Sequence, residues 1–400
     1  MKARREEGPL HASFTLGRVA GVEIGVNWSW AVVVFLVVWS LGAVVFPEEL
    51  PGRSDGAYVA MAAIATLAFF ASLLLHELGH AVVARREGME IDGITLWLFG
   101  GVARFKGMFP SGGAELRIAL AGPAVSLALG LAFLGAAEAL PLPATVDHVV
   151  AWLGRINLIL LAFNMLPALP LDGGRALRAL LWLRSGDFTR ATVAAGALGR
   201  TFGNFLMILG VLTLFLAGAP GGLWLAAIGF FLAGAAQAEV SFATMRSALA
   251  GLSVRDAMVA EPDSVEGDLT LAAFVSGPFA RSRHAAYPVD SDGELAGMLH
   301  YRDVATIPPA DWEHVRVRDA AVALDEVLVL AADAPLADAL IELSGNRLGR
   351  GLVLDPAGRL EGLLSITDAG RLLELERTRV SGFPRSGSVV STLPAKGARA

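Results

Sequence analysis

Long uncharged apolar stretches dominate the first 240 residues of the chain. A helix needs about 20 apolar residues to cross the hydrocarbon core of a bilayer. Five stretches reach or approach this length, and Gly and Pro residues at 217–222 divide the last one into two antiparallel spans. The stretches cover residues 24–47, 56–75, 118–137, 148–166 and 201–238. The pattern predicts a polytopic α-helical membrane protein with about six transmembrane helices.

The hydrophobic pattern changes after residue 250, where short apolar runs alternate with polar turns. Val254-Arg-Asp-Ala257 recurs as Val317-Arg-Asp-Ala320, and segment 287–303 recurs in outline at 351–368. Each copy predicts a strand, a turn with Asp and Gly, a second strand, and a polar loop that opens a helix. We expect an α+β pair of repeats that bury a shared face.

These changes divide the chain into four segments. The membrane domain is expected over 1–245, and the two repeats over 252–310 and 315–377. Residues 378–400 are rich in Ser, Gly and Pro, and we expect a disordered tail there.

Composition and charge support this division. Hydrophobic residues make up 54% of the chain and charged residues 18%, whereas soluble proteins carry about 25% charged residues. Of the charged residues, 33 lie in the first 250 positions and 37 in the last 150. The net charge of −6 gives no indication of a nucleic-acid partner. Because the chain has no Cys, a transition-metal site must use His and carboxylate ligands.

The distribution of Lys and Arg predicts the orientation, because cytoplasmic loops carry an excess of both. With the N-terminus in the cytoplasm, the outer loops hold Arg53, and Arg155 lies just inside a membrane end. The inner segments hold Lys2, Arg4, Arg5, Arg18, Arg85, Arg86, Arg104, Lys106, Arg117, Arg175, Arg178, Arg184, Arg190 and Arg200. We therefore expect a multi-pass protein of the cell (inner/plasma) membrane, with both termini cytoplasmic and the first span retained.

The second apolar span ends in His76-Glu-Leu-Gly-His80. Residues i and i+4 share one face of a helix, so both imidazoles can reach a single Zn²⁺. Glu77 then lies where a general base of a metalloprotease is needed. Ionisable groups against a membrane span are costly, which favours a functional role over chance.

A third zinc ligand is predicted where the fourth span ends. The run is Asn164-Met-Leu-Pro-Ala-Leu-Pro-Leu-Asp172-Gly-Gly-Arg175. Two prolines stop the helix, and Asp172 precedes paired glycines that allow a tight turn. The chain crosses the membrane twice between His80 and Asp172, so both lie near the cytoplasmic face. A plain turn aspartate is the competing interpretation.

The two motifs together resemble those of the site-2 protease family of intramembrane zinc metalloproteases. The resemblance covers roughly 14–240 and includes Leu16–Trp28 and Phe99-Gly-Gly-Val-Ala103. It implies one Zn²⁺ per chain, with His76, His80 and Asp172 as ligands and Glu77 as the general base. No inserted segment of PDZ-domain size separates the second and third spans.

Two asparagines extend the resemblance. It implies that Asn164 is an active-site polar group near the substrate carbonyl, although this side chain could equally cap carbonyls freed where Pro167 breaks the helix. Asn27 departs from the family pattern, because many relatives have His before the tryptophan of the first span.

Segment 94–105 is apolar but too short and too rich in glycine to cross the membrane, and its residues favour strands. In the related family this region is a membrane-associated hairpin that can pair with an extended substrate. A helical substrate must unwind before cleavage, and an edge strand can bind the released backbone groups. An amphipathic connector packed on the helices is the other interpretation.

The repeats resemble a tandem CBS (Bateman) module. In that family an Asp at a loop–helix junction often binds ribose, with a neighbouring hydroxyl near phosphate, which implies an ATP or AMP site at Thr367 and Asp368. Asp303 is the matching residue of the first repeat but lacks a preceding Ser or Thr. Many such modules instead serve dimerisation, so a homodimer through the CBS domains is the other expectation.

Together these features predict an intramembrane zinc metalloprotease whose CBS domains regulate it from the cytoplasm. By resemblance, its substrates are membrane-bound regulators with a transmembrane segment, such as anti-sigma or pro-sigma factors, cut within or beside the lipid bilayer. Two other classes stay open at this point. One is a transporter or channel gated by CBS domains, and the other is an inactive protease-like membrane scaffold.

Overall fold

The computed structural model describes residues 13–380 except 20, 98, 99, 106, 283, 292 and 347. The chain divides into two compact units, and the division falls between Thr244 and Met245. The first unit holds the long apolar helices and a small sheet, and the second unit holds two mixed sheets with short helices.

Within the described residues, six helices are long and apolar enough to cross a membrane, as predicted. The first is a composite of α1 (Ser29–Ser40), a π-helical segment (Leu41–Val45) and α2 (Phe46–Glu49). The other five are α3 (Asp55–Arg86), α4 (Gly112–Ala139), α5 (Ala144–Asn164), α7 (Phe188–Leu216) and α8 (Gly221–Ala248). A shorter helix, α6 (Asp172–Ser185), lies between α5 and α7.

Several boundaries differ from the sequence-based prediction; α7, for example, starts at Phe188 rather than at residue 201, and two further differences lie close to the sheet and the paired histidines. Residues 24–26 belong to a strand, so the first span starts at Ser29 rather than at residue 24. Helix α3 continues past the apolar stretch to Arg86. Hydropathy identifies only the part of a helix that can lie in lipid, so it does not show where the helix ends. Gly79 permits this extension to pack tightly, because a Cβ there would lie 3.1 Å from the carbonyl oxygen of Ala121 in α4.

A four-stranded sheet accompanies these helices. Its strands, in spatial order, are β1 (Phe14–Val19), β2 (Val22–Val26), β3 (Ile91–Trp97) and β4 (Gly100–Phe105). Strands β2 and β3 pair in parallel, and the other pairs are antiparallel. The β character predicted for 94–105 is confirmed as the β3–β4 hairpin, whereas the β1–β2 pair was not expected. Strand β4 forms one edge of the sheet.

The second unit has the α+β architecture expected of tandem repeats. Its helices are α9 (Val254–Ala257), α10 (Leu271–Phe274), α11 (Ala280–Ser282), α12 (Tyr301–Ala305), α13 (Val317–Ala320), α14 (Leu336–Gly345) and α15 (Ile366–Val380). Its strands are β5 (Val259–Ala260), β6 (Val265–Glu266), β7 (Ala286–Ser291), β8 (Glu294–His300), β9 (Val322–Ala323), β10 (Val329–Ala331), β11 (Arg350–Leu354) and β12 (Leu360–Ser365).

The two sheets of this unit exchange an edge strand. Their orders are β10-β11-β12-β5 and β6-β7-β8-β9, so each sheet takes a short strand that precedes the other repeat's core. Buried Met298 and Leu352 belong to an apolar cluster that contains residues of both repeats. This cluster is the shared face that the repeat pattern predicts. Helix α15 extends to Val380, and the rest of the predicted tail over 378–400 lies outside the described residues.

Candidate metal centre

Three side chains from two helices converge in the first unit. His76 and His80 lie one turn apart on α3, and Asp172 is the first residue of α6. Their exposed fractions are 2%, 6% and 8%, so all three are buried. Among the described residues they form the group of His, Asp and Glu side chains that could hold a metal ion.

The donor atoms of these side chains are evenly spaced. The two Nε2 atoms lie 3.2 Å apart, Nε2 of His76 lies 3.1 Å from Oδ2 of Asp172, and Nε2 of His80 lies 3.3 Å from Oδ1. Zn–N and Zn–O bonds of about 2.0–2.2 Å at tetrahedral angles separate neighbouring donors by about 3.3–3.5 Å. The separations between the two nitrogen atoms and the carboxylate oxygens are therefore close to those between corners of a zinc tetrahedron, one of which the carboxylate would occupy.

The opposite ring nitrogens fix which atom of each imidazole faces the centre. Nδ1 of His80 donates to the carbonyl oxygen of Ile118 at 2.7 Å, and an oxygen of that kind can only accept. A neutral His80 therefore keeps its lone pair on Nε2. Nδ1 of His76 lies 2.8 Å from Oγ of Ser126, which can accept its proton in the same way. Such hydrogen bonds orient metal-binding histidines and raise their basicity.

Helix α4 passes directly behind the two imidazoles. Ile118, Gly122 and Ser126 are spaced by four residues and share one face of this helix. A Cβ on Gly122 would lie 2.2 Å from Nε2 of His80 and 2.6 Å from Nε2 of His76. Only glycine leaves the space between the two donor nitrogens open.

The edge strand lies against Glu77. This residue is half-buried, and a Cβ on Gly101 of β4 would lie 2.6 Å from Cγ of Glu77. Strand β4 and the carboxylate therefore contact each other closely beside the three donor atoms. A side-chain hydrogen bond also connects β4 to its hairpin partner β3: Nη1 of Arg104 in β4 donates to Oγ1 of Thr95 in β3 at 2.9 Å.

The segment before Asp172 is irregular, as the two prolines predict, but the paired glycines serve another purpose. Gly173 and Gly174 are helical residues of α6 and do not form a tight turn. A Cβ on Gly173 would lie 2.3 Å from the carbonyl oxygen of Met165, and one on Gly174 would lie 2.3 Å from the carbonyl carbon of Ala168. The glycines thus let the preceding loop fold back onto the start of α6, which places Asp172 beside α3.

Four charged side chains form a cluster behind Asp172, which we call the charge cluster: Glu115, Arg175, Arg178 and Glu239. Arg178 bonds to Oε1 of fully buried Glu115 through Nε at 2.6 Å and through Nη2 at 2.5 Å. Its Nη1 bonds to Oε2 of Glu239 at 2.5 Å, and Arg175 lies 3.7 Å from Oε1 of the same carboxylate. The cluster joins α4, α6 and α8.

Neither predicted asparagine lies among the metal donors. Nδ2 of Asn164 donates to the carbonyl oxygen of Leu160, one turn back in α5, at 3.1 Å. Leu160 lies within α5, so this carbonyl is not one that Pro167 frees, and both the capping interpretation and the role near a substrate carbonyl stay predictions. Oδ1 of Asn27 accepts from the backbone N–H of Ser29 at 3.1 Å, at the start of α1.

A separate cleft lies in the second unit, with a volume of about 410 Å³. This volume is within the range of about 300–1,000 Å³ that small-molecule sites occupy. Thr367 and Asp368 line it together with Arg350 and Arg371, whereas Asp303 is not among its lining residues. Partial burial lowers the pKa of Arg350 from its usual value.

Oγ of Ser365 holds the start of α15 at this cleft. It donates to Oδ2 of Asp368 at 2.5 Å and accepts from the backbone N–H of the same residue at 3.2 Å. Asp303 lies instead in α12, where its backbone carbonyl accepts from Oγ1 of Thr306 at 2.7 Å.

Several contacts around the metal donors were missed by the sequence reasoning. Ser126 and Gly122 lie in a span that the sequence marks only by its apolar, small-residue character. A lone hydroxyl and a close-packing glycine in such a span are weak signals, because both also occur where helices simply pack. Arg178 contributes to the charge pattern that predicts the orientation and Glu239 to the net charge, and nothing in their spacing along the chain indicates that they pair.

Comparisons with known proteins agree with these features. A model of Peptidase family M50 matches residues 64–142 and 137–210, and a CBS-domain model matches 254–309 and 317–374. The chain is 39% identical over 374 residues to a Mycobacterium tuberculosis protein named "Putative zinc metalloprotease Rip3", covering 92% of this chain and 94% of that protein.

Two further similarities extend to other organisms. A Synechocystis protein named "Putative zinc metalloprotease sll0528" is 30% identical over 359 residues. The match covers 89% of this chain and 94% of that protein. The solved site-2 protease from Methanocaldococcus jannaschii is 26% identical, with 57% of this chain and 94% of that chain covered and a TM-score of 0.41.

Proposed function

The chain belongs to peptidase family M50, the site-2 proteases, and carries tandem CBS domains, and from that membership we propose that it is an intramembrane zinc endopeptidase. It hydrolyses peptide bonds in or near the transmembrane segments of membrane-bound regulatory proteins. The observation that carries this proposal is the convergence of two Nε2 atoms and one carboxylate within 3.1–3.3 Å, beside Glu77.

The donor set suits zinc. His76 and His80 would contribute Nε2, and Asp172 would contribute a carboxylate oxygen, which leaves a fourth position for water or substrate. When bound, Zn²⁺ lowers the pKa of a water molecule and polarises the scissile carbonyl. Glu77 accepts the proton of the attacking water and donates it to the leaving amide nitrogen, as a general base and then a general acid. Asn164 would hydrogen-bond the substrate carbonyl.

Strand β4 offers a binding mode for the substrate. A transmembrane helix must unwind before its amide becomes accessible, and the released backbone groups need partners in a medium without water. An extended substrate that pairs with the edge of β4 would satisfy them. Gly101 lets this strand approach Glu77 so closely that a paired peptide would lie next to the carboxylate.

The cellular setting follows from the same reasoning. We infer a multi-pass protein of the cell (inner/plasma) membrane with both termini in the cytoplasm, because the Lys and Arg residues of the short loops favour that side. Its substrates would be membrane-anchored regulators, with anti-sigma and pro-sigma factors as the expected class.

The CBS module is proposed to regulate this activity by binding an adenine nucleotide. Thr367 lies near the start of α15, where a helix N-terminus favours phosphate. Arg350 and Arg371 add positive charge to the cleft, and Asp368 would accept the ribose hydroxyls. Titration of the full chain with ATP and AMP tests this part, and no heat of binding with either would end it. The molecular mass of the full chain in the same samples shows whether it forms a dimer.

The central experiment combines metal analysis with hydrolysis. The purified chain, reconstituted in vesicles with a single-span test substrate, is expected to hold one zinc per chain and to cleave the substrate. Glu77→Gln is expected to keep the zinc and lose cleavage. Zinc without cleavage in the parent chain would favour the scaffold, and zinc-independent ion flux would favour the transporter or channel.

A further inference from the structure

Helix α6 connects the metal centre to the charge cluster. Asp172 is its first residue, and Arg175 and Arg178 follow at the third and sixth positions after it. Because residues three apart lie on neighbouring positions of a helix surface, the three side chains follow one side of α6. The rotation of α6 about its axis therefore determines both where the arginines bind and where the Asp172 carboxylate points.

Arg178 is fixed from three directions. Fully buried Glu115 of α4 binds its Nε and Nη2, and Glu239 of α8 binds its Nη1. The guanidinium carbon also lies 5.1 Å from the ring centroid of Phe188, the first residue of α7. A planar guanidinium can bind two carboxylates at once in a fixed geometry, which a lysine ammonium cannot reproduce.

Glu239 is the residue that brings α8 into this arrangement. Its carboxylate contacts Arg178 at 2.5 Å and Arg175 at 3.7 Å, so it bridges both arginines of α6. The side chain of Glu239 is 24% exposed, whereas that of Arg178 is 5% exposed. Buried ion pairs contribute little net stability compared with apolar residues of similar volume, so fixing one geometry is the more direct reason for the cluster.

We propose that Glu239 is a positioning residue for the metal centre: through Arg175 and Arg178 it holds α6 in the rotation that presents Asp172 to His76 and His80. This inference rests on the proposed function, because it assumes that the three donors bind zinc. It assigns α8 a part in metal binding although no metal donor lies on α8 among the described residues.

The test uses Glu239→Gln, which keeps the shape of the side chain and removes its charge. The full chain is purified without metal, and its zinc affinity is measured by competition with a chromophoric chelator. We expect the affinity to fall by about 10- to 100-fold, the range seen when outer hydrogen-bonding partners of metal ligands are removed. The visible spectrum of the Co²⁺-loaded chain should change as well, because it reports ligand geometry.

The matched control is Gln237→Ala in the same turn of α8. Gln237 accepts from Nη1 of Arg200 in α7 at 2.7 Å and donates to Oγ of Ser241 within α8 at 3.2 Å, so its hydrogen bonds go to helices other than α6. This variant should keep the zinc affinity and the Co²⁺ spectrum of the parent. A second variant, Arg178→Lys, keeps the charge but cannot bind both carboxylates, and its zinc affinity should also fall.

A measurement on the metal-free chain separates this inference from the proposed function. Amide hydrogen exchange over the first turns of α6 should be faster in Glu239→Gln than in the parent or in Gln237→Ala. Parent-like zinc affinity and parent-like exchange in either folded variant, Glu239→Gln or Arg178→Lys, would overturn the positioning role. A parent chain that binds no zinc would overturn the proposed function, while the exchange data would still test the position of α6.

Discussion

Gly122 and His80 are so close that a Cβ on the glycine would lie 2.2 Å from the Nε2 atom of the imidazole. The imidazole of His76 is almost equally close, because its Nε2 atom would lie 2.6 Å from the same Cβ. The metal centre therefore includes a backbone surface as well as its three donor side chains.

Gly122→Ala is expected to remove bound zinc while α4 remains helical, because alanine favours a helix by about 1 kcal/mol over glycine. The added methyl group would occupy the space between the two donor nitrogens. Zinc content by mass spectrometry checks this outcome. Gly135→Ala, on the same helix with nothing within 4 Å of its Cβ, is the control and should keep its zinc.

Ser126→Ala is expected to weaken zinc binding by about 10- to 100-fold without abolishing it. The substitution removes the hydrogen bond at Nδ1 of His76 and so frees the ring to rotate and to change tautomer. Chelator competition measures the effect. Leu127→Ala, at the exposed neighbouring position, should bind zinc as the parent does. An equal affinity in both variants would show that the hydroxyl does not orient His76.

Gly101→Ala is expected to lose most hydrolysis while it keeps zinc. The new Cβ would lie 2.6 Å from Cγ of Glu77, so either the carboxylate or strand β4 must move. Zinc content together with cleavage of the single-span substrate measures both parts. Normal cleavage would mean that β4 can shift without a catalytic cost, and it would count against the close strand as part of the reaction site.

Asp172→Ala is expected to lose both zinc and hydrolysis, in contrast to Glu77→Gln, which should lose hydrolysis alone. Asp172 supplies the one carboxylate of the three donors, and two imidazoles leave the centre short of the three protein ligands that catalytic zinc usually has. Metal analysis of the two variants side by side makes the distinction. Full zinc occupancy in Asp172→Ala would exclude this residue as a ligand.

Thr367→Val is expected to weaken nucleotide binding to the full chain by about 10- to 100-fold, which corresponds to one charge-assisted hydrogen bond of about 1.5–3 kcal/mol. The substitution keeps the shape of the side chain and removes its hydroxyl from the cleft. Calorimetric titration with AMP and ATP measures the loss. Asp303→Ala, outside the lining of this cleft, should bind as the parent does, and equal weakening in both variants would contradict the assignment.

The lengths of the apolar stretches and the spacing of the motifs were enough to predict much of the architecture. The apolar stretches predicted the membrane helices because lipid imposes a length and a composition on each span. The histidines at i and i+4 predicted a shared face because helix geometry is local. Both kinds of inference need only neighbouring residues, and both therefore work without a structure.

The remaining features depend on contacts between segments that are far apart in the chain. Ile118 contributes a backbone carbonyl, which any residue has, so its identity gives no signal. Arg178 meets Glu115 and Glu239 from positions 63 and 61 residues away. The pairing of β2 with β3 also escaped prediction, because the first two spans separate these strands in the chain. The β1–β2 pair is local, and the apolar residues 24–26 of β2 resemble the start of the first span.

The spacing of Ile118, Gly122 and Ser126 along α4 has a consequence for engineering. If the His-Glu-x-x-His helix alone were grafted onto another scaffold, the two imidazoles could rotate and could adopt either tautomer. The transferred fragment must therefore also include the matching face of α4. There the carbonyl of Ile118 and the hydroxyl of Ser126 fix the orientation of the two rings, and Gly122 leaves space for them.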